Sequence, residues 1–373
     1  MTTEALSEPR ATVGAVARLG RPVAAVVGVW ALSLVLWWIL VDPEWGLVEG
    51  AYPQPAGAYL FWVIGVFIIA AFNFGGWPFT RLRQPLAGLL AAATHIALGC
   101  AIVAIIVYAL GRWDATFASD LAGETGFLAC ALIVLPGFYC WTAVTAHWGN
   151  RPFADLDQPR QGLAAFLAGA FMTMAGFFIL IHPELSAGDS QGPFRLGTAV
   201  GWLYSGIVVA LLFAMLWNNR PWSAMRSPWA VLLSVPLCLG LGTGLYLLLR
   251  EVVEAITPDA VLAAPGFDLG WETANLGVCI SLWALTWGLV LGAPPAGGGW
   301  VRGIVRTLLV GVLALGTYAV YMRWLGTGLL HEPAYDGDYG GFALIWMDWV
   351  AMVLLWYAVS FGAPGLRRDP TGD

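Results

Sequence analysis

Two side chains stand where a largely apolar chain could do chemistry. His95 lies ten residues after Pro85 inside an apolar run, and Asp348 sits in the string WMDWV of the last such run. An ionisable group inside a membrane is costly and marks a candidate functional site. At 1.5 Å per residue His95 falls about 15 Å into its run, near mid-membrane. With Thr94 beside it, it could contact a solute, pass a proton or ligate haem. The bland alternative is a hydrogen-bonded packing histidine. Haem would need a second axial ligand, and His147 is too close to a span end to supply it, so no cofactor is expected. Asp348 could hold a cation, pair with Arg323, or simply hydrate at the interface.

A second set lies in the loops on one side. Glu44, Asp114, Glu184, Asp259 and Glu332 recur in related strings: ILVDPEW, GRWDATF, ILIHPEL, ITPDAV and LLHEPAY. Five such charges at one height would form an acidic mouth that concentrates cations. They could equally be helix caps, with Asp or Thr before Pro and an acid in the first turn. His182, His331, Glu332, Asp336 and Asp338 are the weak candidates for a transition-metal site. Cys100, Cys130, Cys140, Cys238 and Cys279 all fall in apolar runs without CxxC spacing, which suits small core hydrophobes better than a disulfide framework. The chain has no Walker loop, GxSxG or HExxH string. Gly297, Gly298 and Gly299 read as a flexible loop, and no basic surface supports nucleic-acid binding.

The elements that must position these groups follow from composition. Apolar residues make up 59% of the 373 and charged ones 11%, against about 25% charged in a soluble domain. Such a chain needs lipid as solvent. Ten runs meet the length a span requires, at 23–41, 57–76, 86–110, 126–147, 162–181, 198–217, 229–249, 274–292, 304–325 and 342–361; they are called spans 1 to 10. Residues 1–22 and 362–373 are tails, with no cleavable signal peptide at the start. All 17 basic residues are Arg, and thirteen lie in the tails and the even-to-odd loops. By the positive-inside pattern both termini are cytoplasmic. The other face carries sixteen acidic residues against four Arg.

Three even-to-odd loops share a string, GWPFTRLRQP, NRPFADLDQP and NNRPWSAMRSP, in which a Pro precedes a second Pro by seven residues. The second prolines, Pro85, Pro159 and Pro228, with Arg302 as a degenerate fourth anchor, are spaced by 74, 69 and 74 residues. The first Pro should open a short interfacial turn, and the second the next odd span. One period covers two spans, so the chain reads as an all-α polytopic protein of five helical hairpins. Odd spans are rich in small residues and even spans in bulky ones. Small residues allow close helix approach, which predicts odd helices inside and even helices outside. Fourteen residues from each anchor stand Gly99, Thr173, Gly242 and Gly316, a recurring small position at one depth.

Five hairpins with odd helices inside resemble the tellurite-resistance/dicarboxylate transporter and slow anion channel family, in architecture and without a shared motif. The resemblance implies a central pore in quasi-five-fold symmetry. The chain is therefore expected to be a channel or secondary transporter for a small solute, cation or neutral, and not an enzyme. The family's anion preference stands in conflict with the acidic face. The expected pathway residues are His95, Thr94, Gly99, Thr173, Gly242, Gly316 and Asp348. A membrane-embedded enzyme or metal-binding protein, and an accessory subunit of a membrane complex, are the alternatives.

Overall fold

The computed structural model describes residues 10–119, 124–187, 192–225, 227–292 and 299–366. Arg226, Pro295, Gly297, Gly298, Arg367 and Arg368 lie outside them. Among the described residues ten helices are long and apolar enough to cross a membrane: Gly20–Leu40, Ala56–Asn73, Leu86–Arg112, Thr125–His147, Arg160–Leu180, Leu196–Leu216, Trp229–Ile256, Leu269–Leu291, Gly299–Leu329 and Ala343–Ser360. The first helix already begins at Arg10, inside the expected tail.

The layers are the reverse of the expected ones. The most apolar stretches of the even spans are 67–94% buried and those of the odd spans 17–28%. Span 2 packs on span 4, 4 on 6, 6 on 8, 8 on 10 and 10 back on 2, a closed circuit of even helices. Each odd span lies outside it, on the even span before it and on the end of the even span before that. Since the resemblance to the transporter and anion-channel family included odd helices inside, only the helix count and order now carry it.

The reversal has a physical cause in the tryptophans. An indole N–H needs an acceptor when water is absent, and five even-span tryptophans aim theirs outward at the odd spans, whereas Trp62 donates inward to the Cys130 carbonyl of span 4 and Trp287 and Trp346 Nε1 have no partner among the described residues. Trp283 Nε1 donates to Thr317 Oγ1 at 2.8 Å, Trp202 Nε1 to Thr243 Oγ1 at 2.8 Å, and Trp217 Nε1 to Thr307 Oγ1 at 3.0 Å. Trp141 Nε1 reaches the Phe166 carbonyl at 3.2 Å and Trp349 Nε1 the Ser33 carbonyl at 3.0 Å. Bulky inner residues thus fill the space between layers, and small outer residues receive them.

Each odd span therefore buries one narrow stripe at every fourth residue. In span 3 it includes Ala91, His95, Gly99 and Val103; in span 5, Ala165, Gly169, Thr173 and Phe177; in span 7, Ala230, Ser234, Cys238 and Gly242. In span 9 the stripe is Val310, Ala314 and Tyr318, whereas Val312 is 71% exposed and Gly316 is exposed. The fourth copy is thus registered two residues earlier than Arg302 suggests, and Ala314 takes the place assigned to Gly316.

Every even span ends in a five-residue π-turn, at Ile69–Asn73, Ala143–His147, Leu212–Leu216, Trp287–Leu291 and Trp356–Ser360. The turns begin at intervals of 74, 69, 75 and 69 residues. After four of them comes an aromatic residue that meets an odd span. Phe361 covers Gly88 and Trp217 covers Gly303, where a Cβ would fall 2.5 Å and 2.7 Å from the ring; Phe74 covers Gly162, and Trp148 Nε1 donates to Ser234 Oγ at 2.9 Å. The shared loop string also resolves into structure. Pro78 and Pro221 open 3₁₀ turns, and Pro85 and Pro159 open spans 3 and 5. The glutamines before the second prolines tie the layers: Gln84 Nε2 donates to the Ser360 carbonyl at 2.7 Å and Gln158 Nε2 to the Asn73 carbonyl at 3.1 Å.

Candidate functional site

Only Asp348 among the expected pathway residues reaches the interior of the even-helix circuit. Its Oδ2 accepts a hydrogen bond from the Tyr204 hydroxyl at 2.6 Å, and both side chains are buried. Asp348 is on span 10 and Tyr204 on span 6, with span 8 between them in the circuit, so this bond crosses the ring. At 1.5 Å per residue Asp348 lies about 8 Å along its helix from Ala343. It neither hydrates nor pairs with Arg323, whose guanidinium sits 5.9 Å from the centre of the Tyr339 ring.

Two more buried carboxylates stand above it. Glu272, in the first turn of span 8, is fully buried and takes one tyrosine on each oxygen: Tyr318 at 2.8 Å on Oε2 and Tyr335 at 2.8 Å on Oε1. Glu332, in the loop between spans 9 and 10, accepts from the Tyr321 hydroxyl and, at 2.9 Å, from the Phe342 backbone N–H, both on Oε2. Its Oε1 is buried without a partner among the described residues. Burial pushes the Glu332 carboxyl up to about 7, against the hydrogen bonds from Tyr321 and Phe342 and the influence of the nearby Tyr52 hydroxyl. Burial and then the charge of Glu332 hold the Tyr52 hydroxyl well above its ordinary value. Burial and then Glu272 do the same for Tyr335, so both phenols remain donors. Asn275, one turn below Glu272, accepts from the Leu344 N–H at 2.8 Å.

The loop that carries Glu332 folds back over the ring as two short antiparallel strands, Ala334–Asp336 and Tyr339–Gly340. Gly341 closes it with φ of 104°, and a Cβ there would lie 2.6 Å from Glu332 Oε2; glycine is what lets the backbone reach the carboxylate. Beneath the loop is a cavity of about 570 Å³. It is walled by Tyr52, Leu128, Trp271, Tyr335 and Phe342, from the outer ends of spans 2, 4, 8 and 10 and the loop itself. Tyr335 and Phe342, which wall this cavity, donate to Glu272 and Glu332, so these two carboxylates adjoin it.

The remaining expected residues sit elsewhere. Gly99 and Gly242 face the inner helices, where a Cβ would come 2.8 Å from Val63 Cγ2 and 2.8 Å from Gly206 Cα. Thr173 is buried and returns its hydroxyl to the Gly169 carbonyl at 2.7 Å. These are seam positions between layers, because odd helices are outside. Thr94 is half-exposed and Gly316 exposed. The acidic five do not form an equivalent ring: Glu332 is buried, Glu44 and Asp259 are exposed, Glu184 is half-buried, and Asp114 pairs with His182 at 3.0 Å. Burial acts to raise the Asp114 carboxyl, and the His182 and Thr116 hydrogen bonds outweigh it and hold it below its usual value. His331 pairs at 2.9 Å with the buried Asp42, joining the last hairpin to the first. With their histidines spent on these separate clasps, the weak metal candidates do not converge. Asp336 and Asp338 sit in the hairpin of the span 9–10 loop, and among the described residues no three His, Cys, Asp or Glu side chains are placed to hold a metal ion.

Sequence reading missed Glu272 and the five tyrosines at these carboxylates, Tyr52, Tyr204, Tyr318, Tyr321 and Tyr335. Comparison with protein-family models, curated proteins and solved structures returned no match.

Proposed function

We propose that this multi-pass membrane protein is a gated channel or secondary transporter for a small cation or neutral solute. Its five hairpins would act as quasi-equivalent units around the even-helix circuit. The path would enter through the vestibule under the loop between spans 9 and 10 and descend past Glu272 to Asp348. The observation that carries this reading is the Tyr204–Asp348 bond, a carboxylate on the ring interior answered only by a neutral donor. A buried carboxylate without a cation has a use for one, or for a proton. Because the bond crosses the circuit, passage requires it to open. The Arg-bearing loops would face the cytoplasm and the vestibule the other side.

Purified protein in liposomes, assayed for proton and monovalent-cation flux under an imposed gradient, tests it. Asp348→Asn is expected to cut flux at least about tenfold while the melting curve stays in place, since Asn can still accept from Tyr204. Unchanged flux in both Asp348→Asn and Glu272→Gln overturns the reading.

A further inference from the structure

A separate site lies between the layers on the Arg-bearing face, away from the ring interior. Two histidines are embedded in the membrane region, and they are used differently. His147 engages both ring nitrogens, Nε2 with the Ala210 carbonyl at 3.4 Å and Nδ1 with Cys238 Sγ at 4.0 Å. It is a satisfied core residue. His95 engages one: its Nδ1 accepts from Trp356 Nε1 at 3.3 Å.

That single bond fixes the proton. An indole N–H can only donate, so Nδ1 must present a lone pair, the ring is neutral, and the proton is on Nε2. No hydrogen bond holds Nε2 among the described residues, and Nε2 is not one of their sealed, unpartnered polar atoms, so it stays open to the space beside it. The side chain is 2% exposed, and it lines a cavity of about 220 Å³. Its walls include Ala91 on span 3, Phe79, Thr80 and Gln84 on the loop before it, and Ser360 at the end of span 10. Phe67 and Phe79 stand edge-on to the imidazole at 5.4 and 6.5 Å between ring centres. The loop residues place the entrance on the Arg-bearing face.

An unpartnered N–H beside a mostly apolar cavity, whose other polar lining residues are Thr80, Gln84 and Ser360, is costly to leave unmade and selects for an acceptor. A full negative charge at that depth would have no cation to meet it. We propose that this cavity binds a small, mostly apolar molecule with one hydrogen-bond acceptor, such as a ketone or an aryl carbonyl, which takes the Nε2 proton of His95. The equivalent positions Gly169 and Cys238 carry no such donor, so the site belongs to one hairpin junction. Because Trp356 and Ser360 both belong to the π-turn that ends span 10, an occupant is clamped between an outer helix and an inner one.

The test uses full-length protein in lipid nanodiscs with 4-fluoroacetophenone as probe. Its control is 1-ethyl-4-fluorobenzene, which has a similar outline and no acceptor. Fluorine NMR saturation transfer, corrected for empty nanodiscs, should show the ketone binding roughly tenfold or more tightly than the control. Ala91→Leu, which fills the cavity and leaves His95 in place, should abolish the difference. On wild-type protein labelled with 15N-histidine, the His95 pair should show a protonated Nε2 and a bare Nδ1, and the ketone should shift the Nε2 resonance. Equal binding of the two probes, no binding at all, an unmoved Nε2 resonance, or an undiminished preference in a folded Ala91→Leu protein each overturns the proposal. If Ala91→Leu does not fold, the wild-type nitrogen spectrum decides alone.

Discussion

Glu332 makes the stability of the outer loop depend on pH, with a definite sign. Its carboxyl is pushed by burial from 4.5 up to about 7 in the folded chain. Below 4.5 both folded and unfolded chains hold the proton, and the full contribution is present. Between 4.5 and 7 the unfolded chain releases its proton and the folded chain keeps it, so stability falls as pH rises. Two and a half units at 1.36 kcal/mol each give a loss of about 3 kcal/mol, complete by about pH 7 to 8. Glu332 is fully buried, so solvent screening offers little discount. Glu332→Gln keeps an acceptor for Tyr321 and the Phe342 N–H and cannot ionise. The assay is unfolding of the two proteins in the same detergent from pH 4 to 9. The wild-type chain should lose about 3 kcal/mol relative to the variant as pH rises across this window. Parallel curves would show that the carboxylate is ionised at little cost, and the argument from burial would fall.

Gly99→Leu and Gly242→Leu should each cost at least about 3 kcal/mol, because the side chain would enter Val63 or the Gly206 backbone, while Gly316→Leu, in open space, should stay within about 0.5 kcal/mol; melting in detergent separates them. A double-mutant cycle on Trp283→Phe and Thr317→Val should return a coupling of about 1 kcal/mol from the inner-to-outer hydrogen bond, and no coupling would refute the account of the layers. In a cysteine-free background, cysteines at Asp157 and Ser223 should react from the cytoplasm and one at Asp336 only from the other side; a reversed pattern refutes the arginine argument. The matching loop position Asp120 lies outside the described residues.

Span number was legible because it depends on the length of the apolar runs. Layer order was not, because hydrophobicity does not separate a protein interior from lipid. Small residues mark close helix approach, which here falls on the one buried side of an outer helix. What does discriminate is periodicity: Ala91, His95 and Gly99 make a stripe one residue wide, with exposed Leu89, Leu90, Ile96 and Leu98 around it. A helix touched on one side only shows such a stripe, and the even spans, buried all round, show none. The site was harder to read. Asp348 stood out as an ion in an apolar string. Glu272 did not, because the eighth run was started at 274 and the helix begins at Leu269, which left Glu272 among the loop acids. Its partners Tyr318 and Tyr335 are 46 and 63 residues away, and Tyr204 is 144 from Asp348, so nothing local in the chain announces the pairs. Glu332 read as an exposed mouth charge because the close approach allowed by Gly341 is a property of the folded loop.

The choice of tyrosine as partner bears on what the buried carboxylates can do. An arginine would compensate the charge permanently, and a bidentate pair in low dielectric would hold it there. A phenol stabilises the anion by one hydrogen bond and brings no charge of its own. The site at Asp348 is therefore net negative when ionised and neutral when it carries a proton, and a cation or proton can convert one into the other. Arg323 is the basic residue the sequence suggested for this role, and it spends its charge on the Tyr339 ring instead. A ring of surface acids would work through water, where salt screens beyond about 8 Å. On the proposed path Glu272 and Asp348, both buried, would act out of reach of that screening. Selection for positive charge along this path would thus persist at high ionic strength, and replacing the exposed Glu44 and Asp259 would leave it unchanged.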